Sequence, residues 1–252
     1  MKRRHILTLL VAAACAAPLD ARADDPPAAP QAPASPYRFR VMLDLPILGL
    51  GGAATLAALV PPAIPPCFPD CSPPDSLPGV DARVLGNHSP AALGVANATI
   101  AALLVAPHAI NLLATGGKDG AWLEDALLSF ESVVLAQGAT QLMKAATDRP
   151  APLFYDASVP IEERTSHDAL RSFWSGHTAT AFAAATSFAV SYWLRHPRDP
   201  WRWVVLAGLE SAALCTGLLK IRAGYHYPTD IAAGAAAGIS IGVLVPMLHT
   251  TF

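Results

Sequence analysis

The sequence predicts an all-α protein, a membrane-embedded bundle of five or six transmembrane helices. Apolar residues make up 53% of the 252-residue chain and charged residues only 14%. Six apolar stretches each approach the roughly 20 residues that a helix needs to cross a bilayer. Alanine and glycine recur in them, as in membrane helices that pack closely. The net charge of −2 gives no basic excess, so the lipid bilayer, and no nucleic acid, is the expected partner.

The first 40 residues differ in composition from the rest of the chain. Residues 1–23 have the pattern of a secretory signal peptide, with a basic start, an apolar middle and a small-residue cleavage site. The alternative is an uncleaved anchor helix. Residues 24–40 are rich in proline and alanine without periodicity, which predicts a disordered linker. Residues 41–252 form the predicted membrane domain.

The apolar stretches predict the helices of this domain in order. Acidic side chains lie inside several of them, among them Asp44, Asp125, Glu131 and Glu210. Because a charge at bilayer depth normally faces the bundle interior, we expect these residues to make interhelical hydrogen bonds rather than to act in catalysis. The stretches run over residues 41–60, 91–114, 122–146, 177–194, 201–219 and 231–248.

Two histidines at the ends of these stretches are suited to phosphate chemistry. His226 precedes Asp230 by four positions, and Pro228 between them suits the first turn of a helix. A carboxylate held near an imidazole fixes its tautomer and makes it a better nucleophile. The second histidine, His177, follows Ser175 at the start of another helix. Backbone N–H groups and the helix dipole favour a phosphate at such a start.

This arrangement resembles the type 2 phosphatidic acid phosphatase superfamily, which shares its fold with vanadium haloperoxidases and bacterial class A acid phosphatases. The family pattern is Lys, six residues and Arg-Pro, then Ser-Gly-His, then Ser-Arg, five residues, His, three residues and Asp. The sequence matches it with Lys144, with the tripeptide 175–177, and with His226 and Asp230. Trp174 stands where proline is commoner in the family.

The sequence departs from the family pattern at two phosphate-binding positions. The arginine of the first motif falls on Ala151, and the arginine of the third motif falls on Lys220. A lysine keeps the positive charge but lacks the bidentate guanidinium fork. Arg149 and Arg222 lie nearby in the sequence and are candidate replacements. We expect Ala151→Arg to raise activity or to tighten phosphate binding.

The resemblance implies catalytic roles for three residues. His226 attacks phosphorus and becomes a phosphohistidine, Asp230 orients it, and His177 protonates the leaving oxygen and then activates water. The implied substrate is a lipid phosphate or pyrophosphate, and the resemblance implies no metal and no other cofactor. The candidate phosphate-binding residues are Lys144, Ser175, Gly176, Lys220, Arg149 and Arg222.

The same residues leave two other functions open. Ala151 in the motif position suggests a catalytically impaired membrane protein that binds a phosphorylated lipid. The fold relatives suggest a non-specific acid phosphatase or a vanadate-dependent haloperoxidase. For a lipid phosphatase, the candidate substrates are undecaprenyl pyrophosphate, phosphatidylglycerol phosphate, phosphatidic acid and a lipid A phosphate. Other histidines, such as His88 and His249, have no carboxylate at motif spacing.

Loop charges and cysteines predict a bacterial inner-membrane protein whose site faces the periplasm. Cys67 and Cys71, in the first long loop, are close enough in sequence to pair in an oxidising compartment, with metal binding as the alternative. If residues 1–23 are a cleaved secretory signal and all six stretches span, the motifs face the cytoplasm. A periplasmic site therefore requires either that the first stretch does not fully span or that residues 1–23 are not translocated as a signal. The connection between the fourth and fifth stretches is arginine-rich and therefore cytoplasmic, with Arg195, Arg198 and Arg202.

Overall fold

The computed structural model describes residues 35–117 and 120–251. The signal peptide predicted for residues 1–23, and residues 24–34 of the predicted linker, lie outside the described residues. Residues 35–40 are mainly extended, and the described part of the chain contains helices, turns and loops but no β-sheet. The predicted all-α class is confirmed.

Nine α-helices form the described part of the chain, and six of them are long. Each long helix coincides with one of the predicted apolar stretches, to within a few residues. Ser89 begins one of them by accepting a hydrogen bond from the Ala92 N–H, and Gly116, in the left-handed conformation, ends it. In chain order the helices are α1 (Val41–Thr55), α2 (Gly79–Ala82), α3 (Pro90–Thr115), α4 (Ala121–Thr147), α5 (Ile161–Arg164), α6 (His167–Leu170), α7 (Gly176–Arg195), α8 (Trp201–Arg222) and α9 (Pro228–Leu248).

The short elements lie in two long loops. A 3-10 turn, Leu56–Leu59, extends α1, and a second one, Pro152–Tyr155, follows α4. The loop that contains α2 also contains a disulfide between Cys67 and Cys71, which confirms the predicted pairing. Helices α5 and α6 lie in the connection between α4 and α7. The two loops contact each other, since Arg164 of α5 donates a hydrogen bond to the Pro69 carbonyl at 2.7 Å.

Helix α7 forms the centre of the bundle and packs against α4, α8 and α9. Small residues on α9 make its contact with α7 possible. A Cβ atom at Gly234 would lie 2.7 Å from the Ser175 carbonyl oxygen, and one at Gly242 would lie 2.7 Å from the Thr186 Cβ. Because these distances are shorter than van der Waals contact, a larger residue at either position would push the helices apart. The close packing brings the starts of α7 and α9 together.

The outer surface of the bundle is suited to a lipid bilayer. The described residues contain four helical segments long and apolar enough to cross a membrane: α1 with its 3-10 extension, α3, α8 and α9. Large apolar side chains on them are exposed, for example Leu50, Val105, Leu113 and Leu218. An exposed apolar surface of this extent is stable against lipid rather than water. The chain therefore has the helices of a membrane protein.

The bundle has two ends. At the first, which we call the motif end, α4 and α8 end and α7 and α9 begin. At the other, the terminal end, the segment 35–40 meets the end of α9, where the Arg38 N–H donates to the His249 carbonyl at 2.8 Å. The end of α7 meets the start of α4 there, because Arg195 forms an ion pair with Glu124 at 2.6 Å. All the predicted motif residues lie at or near the motif end.

Helix α1 runs from the terminal end to the motif end. It follows the segment 35–40 at the terminal end, and beyond its 3-10 extension the Val60 carbonyl accepts a hydrogen bond from Arg171 at 2.8 Å. Arg171 lies four positions before Ser175, at the motif end. With its 3-10 extension the helix runs between the two ends of the bundle and is long and apolar enough to cross a membrane, which favours a full span of the first apolar stretch over one that stops short.

Two of the acidic residues inside the apolar stretches make interhelical hydrogen bonds. Glu210 of α8 accepts from the Thr186 hydroxyl of α7 at 2.7 Å. Asp125 of α4 accepts from the Asn111 side-chain amide of α3 at 3.0 Å. Both contacts are between neighbouring helices and away from the motif end, as the sequence predicts for structural rather than catalytic carboxylates.

Candidate active site

Four helix ends bring the predicted residues together. Helix α4 ends one turn beyond Lys144, α8 ends two residues beyond Lys220, and α7 and α9 begin beside them. The starts of α7 and α9 place the two predicted histidines on the same side of the bundle. The groups close enough for their charges to interact are Lys144, Asp168, His177, Lys220 and His226.

Ser175 determines where α7 begins. Its hydroxyl oxygen accepts a hydrogen bond from the Thr178 N–H at 3.3 Å, which is the contact of a helix N-cap. Its own N–H donates to the Asp230 carbonyl at 3.2 Å, and this bond joins the starts of α7 and α9. As the first residues of a helix, Gly176 and His177 have N–H groups without intrahelical partners. Such groups can bind a phosphate.

His226 lies in the short turn between α8 and α9 and is only 2% exposed. Gly224, with a φ of +86°, makes this turn possible, since a Cβ atom there would collide with the Asn87 carbonyl. The His226 Nδ1 lies 3.6 Å from Asp230 Oδ2, which is longer than a hydrogen bond but close enough for electrostatic attraction. Burial lowers the pKa of His226, and Asp230 opposes that shift. A neutral imidazole keeps the lone pair that a nucleophile needs.

The Asp230 carboxylate is held from two further directions. Its Oδ2 accepts a hydrogen bond from the Tyr227 N–H at 2.9 Å, and its Oδ1 accepts one from Arg149 Nη1 at 2.6 Å. The Arg149 guanidinium also lies over the Tyr227 ring, 4.0 Å from its centroid. Because Asp230 is fully buried, these bonds fix the orientation in which it faces His226.

A second carboxylate, Asp81 of α2, holds Arg149 from the other side. Arg149 Nη2 donates to Asp81 at 2.8 Å, and the N–H and hydroxyl of Thr229 donate to Asp81 at 3.1 and 2.6 Å. Arg149 thus bridges two buried carboxylates, so its guanidinium is already bound where the sequence suggested a phosphate ligand. Sequence reasoning missed Asp81, which lies in a short loop helix 148 positions from Thr229 and belongs to no motif.

Two lysines supply positive charge to the site. Lys144 is 3% exposed, and its Nζ donates to Asp168 Oδ1 at 2.6 Å. Lys220 is also buried, with its Nζ 5.3 Å from the centroid of the Tyr225 ring. Burial raises the pKa of Asp168, but attraction to Lys144 outweighs it and holds that pKa well below its usual range. Asp168 therefore stays ionised and offsets part of the positive charge.

Two positions that the sequence analysis connected with phosphate binding lie outside the group of histidine and lysine side chains at the motif end. Arg222 is exposed at the end of α8, and no hydrogen bond or ion pair joins it to another of the described residues. Ala151 is fully buried in an apolar cluster with Leu153, Val159 and Ala169. An arginine side chain does not fit there without moving its neighbours. We therefore revise the expectation for Ala151→Arg, which should disrupt this cluster rather than add a phosphate ligand.

Two other histidines have carboxylate partners that are distant in sequence. The His88 Nε2 lies 3.2 Å from both oxygens of Glu163, which also accepts from the Tyr225 hydroxyl at 3.0 Å. This contact lies in the loops of the motif end. His249, at the terminal end, lies 2.8 Å from Asp44. Neither pair has the short spacing that a sequence pattern could detect.

The second half of the chain matches a known family. The family model of the PAP2 superfamily matches residues 125–252, a range that includes all but the first four residues of α4, all of α7, α8 and α9, and the candidate catalytic and phosphate-binding residues, whereas Asp81 precedes it. The chain belongs to the PAP2 superfamily. The predicted family is therefore confirmed, and the PAP2 match covers all three motif regions. The residues of α1, α2 and α3 precede the matched range.

Curated relatives of this PAP2 protein align with only part of its length and of theirs. The lipid A 1-phosphatase of Porphyromonas gingivalis is 42% identical over 81 residues, which cover 32% of this chain and 17% of that protein. The bacitracin transport permease protein BcrC of Bacillus licheniformis is 33% identical over 90 residues, or 35% and 39% of the two chains. The lipid A 1-phosphatase of Rhizobium etli is 30% identical over 122 residues, 48% of each chain. The chain spans less than half the length of each of these relatives, and no solved structure matches it.

Proposed function

We propose that this PAP2 protein is a phosphatase that hydrolyses a lipid phosphate or pyrophosphate through a phosphohistidine at His226. The observation that carries the proposal is the meeting of His177, in the first turn of α7, and His226, in the turn before α9, at the end of the bundle where Lys144 and Lys220 also lie. The Ser175 N–H donates to the Asp230 carbonyl at 3.2 Å and joins the starts of α7 and α9 there. Phosphoryl transfer depends mainly on positioning and on stabilisation of negative charge. Two imidazoles and two ammonium groups at one end of a helical bundle suit that reaction.

In the first proposed step, Nε2 of His226 forms a bond to phosphorus while the bond from phosphorus to the leaving oxygen breaks. Nε2 is the attacking atom because Nδ1 faces Asp230. His177, in its protonated form, donates a proton to the leaving oxygen. The lipid then departs as an alcohol, or as a lipid monophosphate when the substrate is a pyrophosphate.

In the second proposed step, water attacks the phosphohistidine while His177 takes up a proton from it. The bond from phosphorus to nitrogen breaks, inorganic phosphate leaves, and both histidines return to their starting states. Every proton in this cycle passes through His177 or water.

The phosphate itself is proposed to lie at the start of α7, between Lys144 and Lys220. The N–H groups of Gly176 and His177 point toward an anion at that position, and the lysines offset its charge. Ser175 contributes by capping α7, and Arg149 contributes by holding Asp230 rather than by contacting phosphate. We assign Arg149 and Asp81 as positioning residues on this basis.

The lipid nature of the substrate rests on two observations. Of the helices that begin or end at the site, α8 and α9 are long and apolar enough to cross a membrane and expose large apolar side chains, which suits a substrate that lies in the bilayer. Two of the relatives are named lipid A 1-phosphatases. Lipid A phosphate is therefore the first candidate, followed by undecaprenyl pyrophosphate, phosphatidylglycerol phosphate and phosphatidic acid.

A second function, binding of a phosphorylated lipid without turnover, has one observation in its favour. Asp168 binds Lys144 at 2.6 Å and so competes with phosphate for one of the two lysines. If this ion pair persists when lipid binds, the site loses half of its positive charge and stabilises the transition state poorly. Release of phosphate distinguishes the two functions.

We also propose that the site faces the periplasm of a bacterial inner membrane. The disulfide lies in a loop of the motif end, and disulfides persist in oxidising compartments. The arginine-rich connection between α7 and α8 lies at the terminal end, as expected for a cytoplasmic loop. The segment 35–40 lies at the terminal end too, so a periplasmic site requires this segment to be cytoplasmic and residues 1–23 not to be a cleaved secretory signal.

Thiol labelling in intact cells tests this orientation. A cysteine introduced at the exposed Arg198, in the connection between α7 and α8, should react with a membrane-impermeant reagent only after lysis. A cysteine introduced at Asp75, in the exposed loop of the motif end, should react without lysis, in intact cells whose outer membrane lets the reagent through. The reverse pattern would assign the site to the cytoplasm.

Phosphate release by the protein purified in detergent tests the proposed activity. We expect release from at least one of the four candidate lipids, loss of release in His226→Ala, and near loss in His177→Ala. Glu210→Gln changes a half-buried acid that hydrogen-bonds to Thr186, far from the motif end, and should retain release. Release at the wild-type rate by His226→Ala would end the assignment of the nucleophile. Tight binding of a lipid phosphate without release would support the binding function instead.

A further inference from the structure

The terminal end contains a cluster of metal-ligand side chains that the proposed phosphatase reaction does not use. His249 Nε2 lies 2.8 Å from Asp44 Oδ1 and 3.4 Å from Glu131 Oε2. The three residues come from the end of α9, from α1 and from α4. His249 is fully buried, Glu131 is 3% exposed, and the Asp44 side chain is 19% exposed. The three potential ligand atoms all lie within 4.8 Å of one another.

The hydrogen bond on the other side of the His249 ring leaves Nε2 available as a ligand. Its Nδ1 lies 2.8 Å from the Val245 carbonyl oxygen. A carbonyl only accepts hydrogen bonds, so Nδ1 carries the hydrogen and Nε2 has the lone pair. Metal-binding histidines are usually oriented by such a bond to a carbonyl or a carboxylate. The Phe39 ring packs against the imidazole, with 5.2 Å between the ring centroids.

The charges of this cluster favour a divalent cation. If Nε2 of His249 carried a proton, it would donate a hydrogen bond to Asp44, but the positive charge of the resulting imidazolium would offset only one of the two negative carboxylates. Within residues 35–117 and 120–251, His249 is the only ionic partner of Asp44 and of Glu131. Glu131 Oε2 is buried without a hydrogen-bond partner, and an uncompensated buried carboxylate is strongly unfavourable. A cation of charge +2 offsets both carboxylates.

We propose that His249, Asp44 and Glu131 bind a divalent transition-metal ion, for which Zn²⁺ is the best-matched probe. Ligand atoms about 2.0–2.1 Å from a tetrahedral zinc are about 3.3 Å apart, so the distances from Nε2 need to change little. An imidazole ligand favours Zn²⁺ over Mg²⁺ and Ca²⁺, which prefer oxygen ligands, while the two carboxylates also suit Mn²⁺. The partial exposure of Asp44 leaves a path for the ion and for a bound water. The ion fastens α1 and the end of α9 to α4, at the opposite end from the phosphatase site.

The test uses the full chain, purified in detergent and equilibrated with Zn²⁺ or with Mn²⁺, followed by gel filtration and mass-spectrometric metal analysis. We expect the wild type to retain the ion in a one-to-one ratio, and Glu131→Gln and Asp44→Asn each to lower the affinity at least about tenfold. Glu210→Gln neutralises a different, half-buried carboxylate and should keep the wild-type metal content. EDTA should lower the Tm of the wild type but not that of Glu131→Gln, because the ion binds only the folded chain.

Two results would overturn the proposal. One is a wild-type protein that retains neither ion. The other is equal retention by Glu131→Gln, which would place the ion elsewhere, for example at the histidines of the motif end. If Glu131→Gln does not fold, the wild type alone decides the question. A Tm that EDTA leaves unchanged, or an X-ray absorption spectrum without nitrogen and oxygen ligands at about 2.0–2.1 Å, then rejects the site.

Discussion

Replacing Arg149 with methionine tests the contact on which the position of Asp230 depends. Methionine keeps an unbranched apolar side chain but removes the charge that offsets Asp81 and Asp230, both fully buried. Breaking a buried ion pair costs about 3–5 kcal/mol. Because the Arg149 side chain is 23% exposed and water partly screens it, we expect a loss near the lower limit, about 3 kcal/mol.

Matched variants separate this effect from a general loss of packing. Arg149→Lys keeps the charge but cannot bridge two carboxylates, so it should lose about 1–2 kcal/mol. Combining Asp81→Asn with Arg149→Met removes one of the two uncompensated carboxylates and should recover at least about 0.5 kcal/mol relative to additivity. Arg222→Met changes an exposed arginine and should stay within about 0.5 kcal/mol of the wild type.

Reversible unfolding in mixed detergent and SDS micelles, followed by tryptophan fluorescence, measures these free energies of unfolding. The kcat of Arg149→Met should fall as well, because Asp230 is no longer held in its orientation. An Arg149→Met protein within about 0.5 kcal/mol of the wild type, the ordinary range for surface substitutions, would refute the reasoning. Strict additivity with Asp81→Asn would refute it as well, since the two side chains would then not interact.

Three further predictions concern His226, Ala151 and Gly234. Burial lowers the pKa of His226, so below the ordinary histidine value of 6.5 the unfolded chain binds a proton there that the folded chain does not. Stability should therefore fall as the pH drops below that value, and His226→Gln, measured by unfolding across the same pH range, should lack this part of the loss. Ala151→Arg should lower the free energy of unfolding by about 1–3 kcal/mol or more and reduce phosphate release. The smaller change Ala151→Ser should be tolerated. An active, stable Ala151→Arg protein would contradict the buried position of this residue. Gly234→Ala should impair phosphate release, because the added Cβ would collide with the Ser175 carbonyl. Gly49→Ala should leave phosphate release unchanged, because nothing lies within 4 Å of a Cβ atom there. Equal activity of the two variants would contradict the close packing of α7 and α9.

The helices could be predicted because the thickness of a bilayer determines their length. The relation of His226 to Asp230 could also be predicted, because the residue just before a helix lies close to the residues of its first turn, and Pro228 indicates where that helix begins. Ser175 caps α7 for a similar local reason. Features that depend on neighbouring positions or on a short, fixed spacing were therefore accessible from the sequence.

The partners of Arg149 and Lys144 could not be predicted in the same way. Asp81 is 68 positions from Arg149, in a four-residue helix with no periodic pattern, and Asp168 lies in a polar loop that contains several other charges. Which carboxylate meets which cation there depends on how the loops fold over the motif end. The sequence accordingly suggested that Arg149 binds phosphate, whereas the structure shows it bound between two carboxylates.

The measurement that tests the central claim most directly is identification of the residue that carries phosphate during turnover. The substrate for this experiment is an aryl phosphate whose leaving group departs without a proton, so the first step can proceed in His177→Ala. The second step, in which water releases the phosphate, needs His177 and is slowed in this variant. After an alkaline quench and digestion, mass spectrometry should find phosphate on His226 in His177→Ala and none in His226→Ala. Phosphate on any other residue, or continued turnover with His226 never phosphorylated, would contradict the account.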